Sequence, residues 1–136
     1  MMNGRCMCGA VTLKAQPARE SLSACHCDMC RRWCSGPFVA FEAVSETLHV
    51  DGPIKRMQTS DWAERAVCAE CGSALWYHMT DEPGRSYNLA AGLFDTGAMP
   101  ISIEVWIDEK PEGYALAGER RQMTGAEVLA FFGAED

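Results

Sequence analysis

Cysteine spacing restricts this chain more than any other feature. Three cysteines fall within six positions, Cys25-His26-Cys27-Asp28-Met29-Cys30, and Arg31-Arg32-Trp33-Cys34 follows directly. Two further pairs stand apart, in Cys6-Met7-Cys8-Gly9 and Cys68-Ala69-Glu70-Cys71-Gly72. Pairs this close are awkward to bridge within themselves. They suit a shared metal, because thiolates are soft ligands that favour zinc, copper(I) or iron–sulfur clusters.

Seven of the eight cysteines sort into two groups. Cys6, Cys8, Cys68 and Cys71 combine Cys-x-Cys with Cys-x-x-Cys. Brought together, they make a tetrahedral four-sulfur site that ties distant segments to each other, the usual form of a structural zinc. Gly72 permits the positive φ that a turn of this kind often needs. Cys25, Cys27 and Cys30 form the second group. Three thiolates on zinc leave one position for water or an incoming thiol, as in a catalytic site, whereas a fourth protein ligand closes it. Cys34 lies one turn beyond Cys30 if this segment is helical, which makes it the alternative fourth ligand. Cys-x-Cys occurs at both 6/8 and 25/27, so spacing alone also permits the groups to exchange pairs.

The residues around the second group carry two readings each. His26 stands between two ligands: it points away from the metal if the stretch is extended, and the other reading makes it a nitrogen ligand at a crowded position. Arg31 and Arg32 are either a solvated pair or a seat for a substrate carboxylate, which suits the guanidinium shape. Trp33, Trp76 and Tyr77 read as core. His49 alternates with Leu48 and Val50 and is expected to face solvent.

The 136 residues suit a single zinc-binding domain spanning 1–136. A 48% apolar composition supplies a moderate core. Twelve basic against 19 acidic residues give a net charge of −7, which argues against a broad nucleic-acid-binding face. No apolar run approaches the length of a membrane span, and Met1-Met2-Asn3-Gly4-Arg5-Cys6 lacks the apolar stretch of a signal peptide. A cytoplasmic, reducing location is therefore expected, where thiols stay unpaired. Oligomeric state is not readable.

Short apolar runs separated by turn signals predict a mainly β fold, with small antiparallel sheets organised around the zinc sites. Strands are expected around Val11–Leu13, over Phe38–Phe41, Thr47–Val50, Ile54–Thr59, Ala74–His78, Ser86–Phe94 and Ile101–Ile107, and in short form over Tyr114–Leu116. In the Ile101 to Ile107 run the apolar side chains Ile101, Ile103, Val105 and Ile107 alternate clearly. One short helix is expected at the C-terminus. Thr124-Gly125-Ala126-Glu127 is a capping box, Val128, Leu129, Phe131 and Phe132 give an apolar face, and Gly133 ends it.

Taken together, the three cysteine motifs resemble the glutathione-dependent formaldehyde-activating enzyme family, whose domain also occurs in centromere protein V. The resemblance rests on Cys6-Met7-Cys8-Gly9, on Cys25-His26-Cys27-Asp28-Met29-Cys30-Arg31-Arg32 leading to Gly36-Pro37-Phe38, on Cys68-Ala69-Glu70-Cys71-Gly72, and on Ala91-Gly92-Leu93-Phe94-Asp95. It implies two zincs per chain, with Cys6, Cys8, Cys68 and Cys71 structural and Cys25, Cys27 and Cys30 at the active site. It also implies the activity, addition of glutathione to formaldehyde or a similar small aldehyde, formally that of a carbon–sulfur lyase. Cys34 departs from the Ser or Thr common in relatives, and Glu104 stands where many have His. The rival readings are a non-catalytic zinc module that binds another protein and a thiol redox sensor.

Overall fold

The computed structural model describes residues 1–132, with the side chain of Phe132 excluded. In chain order the elements are β1 (Met2–Arg5), β2 (Thr12–Ala15), β3 (Leu22–Cys25), α1 (Asp28–Cys34), β4 (Phe38–Glu42), β5 (His49–Asp51), β6 (Ile54–Gln58), β7 (Ala63–Cys68), β8 (Ala74–Met79), β9 (Tyr87–Ala90), β10 (Ile101–Val105), β11 (Arg121–Met123) and α2 (Gly125–Phe132). The fold is mainly β, as the sequence predicts. The chain forms two compact units: one from Met1–Glu20 with Ala40–Met99, the other from Ser21–Val39 with the chain from Pro100 onward.

The first unit is antiparallel throughout. β2 pairs with β1 on one side and β5 on the other. Along β2 the period of two holds: Val11, Leu13 and Ala15 are buried while Thr12 and Lys14 are exposed. A second ladder runs β4-β9-β8-β7-β6. Its core is aromatic and aliphatic. Phe41, Leu75, Trp76 and Leu89 are at most 1% exposed, and Phe41 meets Phe94 edge-on with ring centroids 5.0 Å apart.

Pairing changes in the second unit, where β10 runs parallel to both β3 and β11. Parallel strands need a long crossover, and the long stretch of chain between β3 and β10 provides one. Burial along β10 does not follow the apolar alternation. Ile101, Ile103 and Val105 are only half-buried, and Glu104 is the buried residue. The strand also stops two residues short of Ile107. Trp106 takes a left-handed conformation (φ 57°, ψ 42°), and a 3-10 turn follows over Ile107–Glu109.

Four other expectations change. Thr47–Val50 is a strand only from His49, with a 3-10 turn over Ser45–Thr47 before it. Ser86–Phe94 is a strand only to Ala90, after which Ala91–Leu93 is a 3-10 turn. Tyr114–Leu116 is not a strand, and β11 lies further on. A seven-residue helix, α1, precedes α2; it is too short to show a helical period in sequence. The capping box of α2 forms as expected: Glu127 N–H donates to Thr124 Oγ1 at 3.2 Å, and Thr124 N–H donates to Glu127 Oε1 at 2.8 Å. Of its apolar residues Val128 is buried, while Leu129 and Phe131 are exposed. Gly133 and the Phe132 side chain lie outside the described residues.

Gly125 opens α2 against the Trp106 ring. A Cβ there would lie 2.1 Å from Trp106 Cζ3 and 2.3 Å from Cε3, and Trp106 already holds a backbone conformation unfavourable for a bulky residue. Gly125→Ala is expected to destabilise the protein by about 1–3 kcal/mol through overpacking. Urea denaturation of both proteins checks this, and an unchanged midpoint would show that the ring moves freely.

Candidate metal centres

The first cysteine group is built from two hairpin turns of the first unit. Cys6 and Cys8 flank the tip between β1 and β2, where Cys6 N–H donates to Val11 O and Gly9 adopts φ 84°. Cys68 ends β7 and Cys71 lies in the turn to β8, where Gly72 adopts φ 80° and its N–H donates to Cys68 O at 2.9 Å. Each pair is thus followed by a glycine in a region costly for a residue with a Cβ.

The Sγ atoms of Cys6, Cys8, Cys68 and Cys71 all lie within 4.8 Å of one another. Cys6 and Cys8 are 3.6 Å apart, and Cys8 and Cys68 are 3.9 Å apart. Tetrahedral zinc–sulfur bonds of about 2.3 Å place sulfurs roughly 3.8 Å apart, so the group fits one ion. Backbone donors reinforce thiolate character. Val11 N–H donates to Cys6 Sγ at 3.3 Å, and Glu70 and Cys71 N–H both donate to Cys68 Sγ at 3.4 Å. None of the eight cysteines is in a disulfide.

The surroundings push the Cys71 and Cys8 thiols in opposite directions. The Ser73 hydroxyl, with the Ser73 and Cys8 backbone donors, pulls Cys71 down to about 5. Cys8 is pushed up to about 12: the Ala10 backbone N–H lowers it, but desolvation and the Cys6, Cys71 and Cys68 sulfurs outweigh that. Like charges this close cannot all ionise unaided, and a bound dication reverses that balance.

The second group, in the other unit, joins three kinds of backbone. Cys25 ends β3, Cys27 is the N-cap of α1 (φ −63°, ψ 159°), and Cys30 sits buried in the helix's first turn. Their Sγ atoms also lie within 4.8 Å of one another. Cys27 Sγ accepts from Cys30 N–H at 3.3 Å, and Glu109 Oε1 accepts from Asp28 N–H at 2.7 Å. Both satisfy donors that the helix end leaves without an intrahelical partner. The Cys25 thiol is pushed upward, first by the Cys27 and Cys30 thiols and then by burial.

Cys34 is not among the converging sulfurs. Its Sγ lies on the exposed end of α1 and donates to Cys30 O, 3.2 Å away, one turn back along the helix. Arg31 and Arg32 share one carboxylate: Arg31 Nη2 lies 3.2 Å from Asp28 Oδ1, and Arg32 Nε lies 3.1 Å from both Asp28 oxygens. The three side chains together keep one positive charge. Trp76 is core and its indole donates to Glu64, Tyr77 stacks under the Arg65 guanidinium, and Trp33 packs on Phe38. His49 is exposed.

His26 is fully buried and is not part of either sulfur group. Its Nε2 lies 2.8 Å from Glu104 Oε1. Burial alone would raise the Glu104 carboxyl, yet hydrogen bonds from Arg120, His26 and Gln122 hold it below the ordinary range. In sequence Glu104 stands out only as a departure from the His of many relatives, and nothing marks Arg120 as its partner. Nothing in the Ile101 to Ile107 pattern marks a carboxylate there as inward.

A family model described as glutathione-dependent formaldehyde-activating enzyme matches residues 1–109. An uncharacterized lyase of Schizosaccharomyces pombe is 35% identical over 129 residues, covering 93% of each chain. A Halomonas elongata protein, provisionally named as a glutathione-dependent formaldehyde-activating enzyme, is 26% identical over 123 residues, covering 82% of this chain and 78% of its own. A crystal structure of a Rhodobacter sphaeroides protein superposes with a TM-score of 0.60 over 74% of this chain and all of its own; at 23% identity it speaks to the fold alone. With most of its length matched by that family model and a relative above 30% identity along nearly all of it, the chain belongs to the glutathione-dependent formaldehyde-activating enzyme family.

Proposed function

We propose that this protein is a zinc-dependent carbon–sulfur lyase that joins glutathione, or a related thiol, to formaldehyde or a similar small aldehyde. The observation that carries the reading is the unequal size of the two sulfur groups, four in one and three in the other. Four thiolates saturate a tetrahedral ion and serve structure, whereas three leave a position for a substrate. Family membership supplies the substrate class. Cys6, Cys8, Cys68 and Cys71 are assigned to the structural zinc, and Cys25, Cys27 and Cys30 to the catalytic one.

Cys25, Cys27 and Cys30 would hold the zinc, which would supply a cation that stabilises a substrate thiolate at neutral pH, where a free thiol with a pKa of about 8.5 is mostly protonated. In the net reaction the glutathione sulfur bonds to the aldehyde carbon, the carbonyl π pair moves to oxygen, and that oxygen takes up the proton the thiol gives up. Three thiolates already make the site net negative, so capture and positioning of the thiol outweigh activation of the carbonyl. Holding both reactants together contributes through proximity. Arg31 and Arg32, with the positive charge left over after pairing with Asp28, are assigned to glutathione's carboxylates.

The rival reading, a closed and non-catalytic zinc module, requires a fourth sulfur, and the position of Cys34 away from the group weighs against it.

Cys27→Ala is expected to lose one of two zincs and the catalysed addition while the domain stays folded. Cys34→Ser is expected to keep both zincs and full activity. Native mass spectrometry gives the stoichiometry, and turnover is read above the uncatalysed rate. Full activity in Cys27→Ala would refute the enzyme reading, and loss of a zinc in Cys34→Ser would make Cys34 a ligand. Replacing Arg31 and Arg32 together by Met is expected to raise KM for glutathione by about 10-fold with little change in kcat, as loss of uniform binding does. An unchanged KM would remove the pair from substrate recognition.

A further inference from the structure

Strand parity separates the side chains of Cys25-His26-Cys27. Neighbouring residues in extended chain point to opposite faces, so two sulfurs go one way and the imidazole goes the other. His26 is fully buried there and meets Glu104, whose side chain is 3% exposed. An ionised carboxylate only accepts hydrogen bonds, so His26 Nε2 carries the proton and donates across 2.8 Å to Oε1. The second carboxylate oxygen accepts from Arg120 Nη1 at 2.7 Å and Gln122 Nε2 at 3.4 Å.

Register explains why these groups meet. Glu104 is the direct partner of Ala24 on β3 and of Gln122 on β11, so the carboxylate emerges on the same face as Ala24 and, two residues on, His26. The backbone adds a further tie, because His26 N–H donates to Val105 O at 3.0 Å. Arg120 is anchored in turn: its Nε donates to Ile101 O at 3.1 Å and its Nη2 to Ala117 O. On the other edge of the imidazole, the Tyr114 hydroxyl lies 3.4 Å from Nδ1.

A buried set of charges is a poor device for stability, since apolar residues of similar volume often do as well or better. What such a set provides is a fixed orientation. We propose that His26, clamped by Glu104 and Arg120, is a positioning residue that sets the Cys25 and Cys27 sulfurs toward Cys30, so that the three-sulfur site is arranged before metal arrives. This rests on the reading of Cys25, Cys27 and Cys30 as a metal site, and it assigns a role to three residues that touch neither metal nor substrate. Outer groups that orient ligands typically govern affinity by about 10- to 100-fold.

The test is metal-protected alkylation in the full chain, read cysteine by cysteine by mass spectrometry while a chelator lowers free zinc in steps. Wild type is compared with His26→Leu and Glu104→Gln. Gln keeps the volume and an acceptor oxygen but removes the charge. In His26→Leu the free zinc needed to protect Cys25, Cys27 and Cys30 is expected to rise about 10- to 100-fold, and in Glu104→Gln by a smaller factor, while protection of Cys6, Cys8, Cys68 and Cys71 stays unchanged. Unchanged protection of the three-cysteine group in both variants overturns the proposal, as does a parallel loss at both groups, which marks a general loss of stability. If His26→Leu does not fold, Glu104→Gln decides alone. Failure of the underlying metal-site reading looks different: Cys25, Cys27 and Cys30 would then go unprotected in wild type itself.

Discussion

Mutual repulsion of thiolates at close range is the constraint on which this structure depends. Two sets of sulfurs converge within 4.8 Å, one in each compact unit. Ionised, they repel; protonated, they bury weakly bonding groups for little return. A soft dication resolves both difficulties. The surrounding backbone is shaped for that outcome. Hairpin tips carry Cys6, Cys8, Cys68 and Cys71, left-handed glycines follow each pair, and amide N–H groups point at Cys6 and Cys68 sulfur.

The two groups solve the same problem with different parts. Four cysteines on two turns form a site that could enclose an ion and so tie β1 and β2 to β7 and β8. The three-cysteine group uses a strand end, a helix cap and a helix turn, with Cys34 turned back to a helix carbonyl. A site with three donors is less completely held by its own ligands. Its geometry depends more on what lies behind them, and there the chain places His26, Glu104, Arg120 and Gln122. On this account β10 contributes to the candidate active site through the Glu104 carboxylate, and β11 through Gln122, rather than through a ligand.

The close cysteine pairs were legible in sequence because metal chemistry imposes such spacing; which pairs share a group was not fixed by spacing, since Cys6/Cys8 and Cys25/Cys27 could exchange, and the sorting leaned on the family resemblance. The capping box at Thr124 and Glu127 was legible for a similar reason, since both partners lie within one turn. What escaped was non-local. Ile101, Ile103 and Val105 alternate clearly, yet the buried residue of the strand is Glu104, held inward by hydrogen bonds from His26, Arg120 and Gln122. A burial preference of apolar side chains was outweighed by satisfaction of a charge. The parallel pairing of β3, β10 and β11 leaves no local pattern, because its partners are far apart in the chain. The early end of β10 depends on the left-handed Trp106, and no residue there advertises that turn.

The account's central claim is an open coordination position on the metal at Cys25, Cys27 and Cys30. Zinc-edge X-ray absorption on the zinc-loaded protein, with and without glutathione, tests it most directly. The predicted result is a shell of sulfur plus a minor contribution from a lighter atom, which gives way to sulfur when glutathione is added. A shell of sulfur alone, unchanged by glutathione, would contradict it.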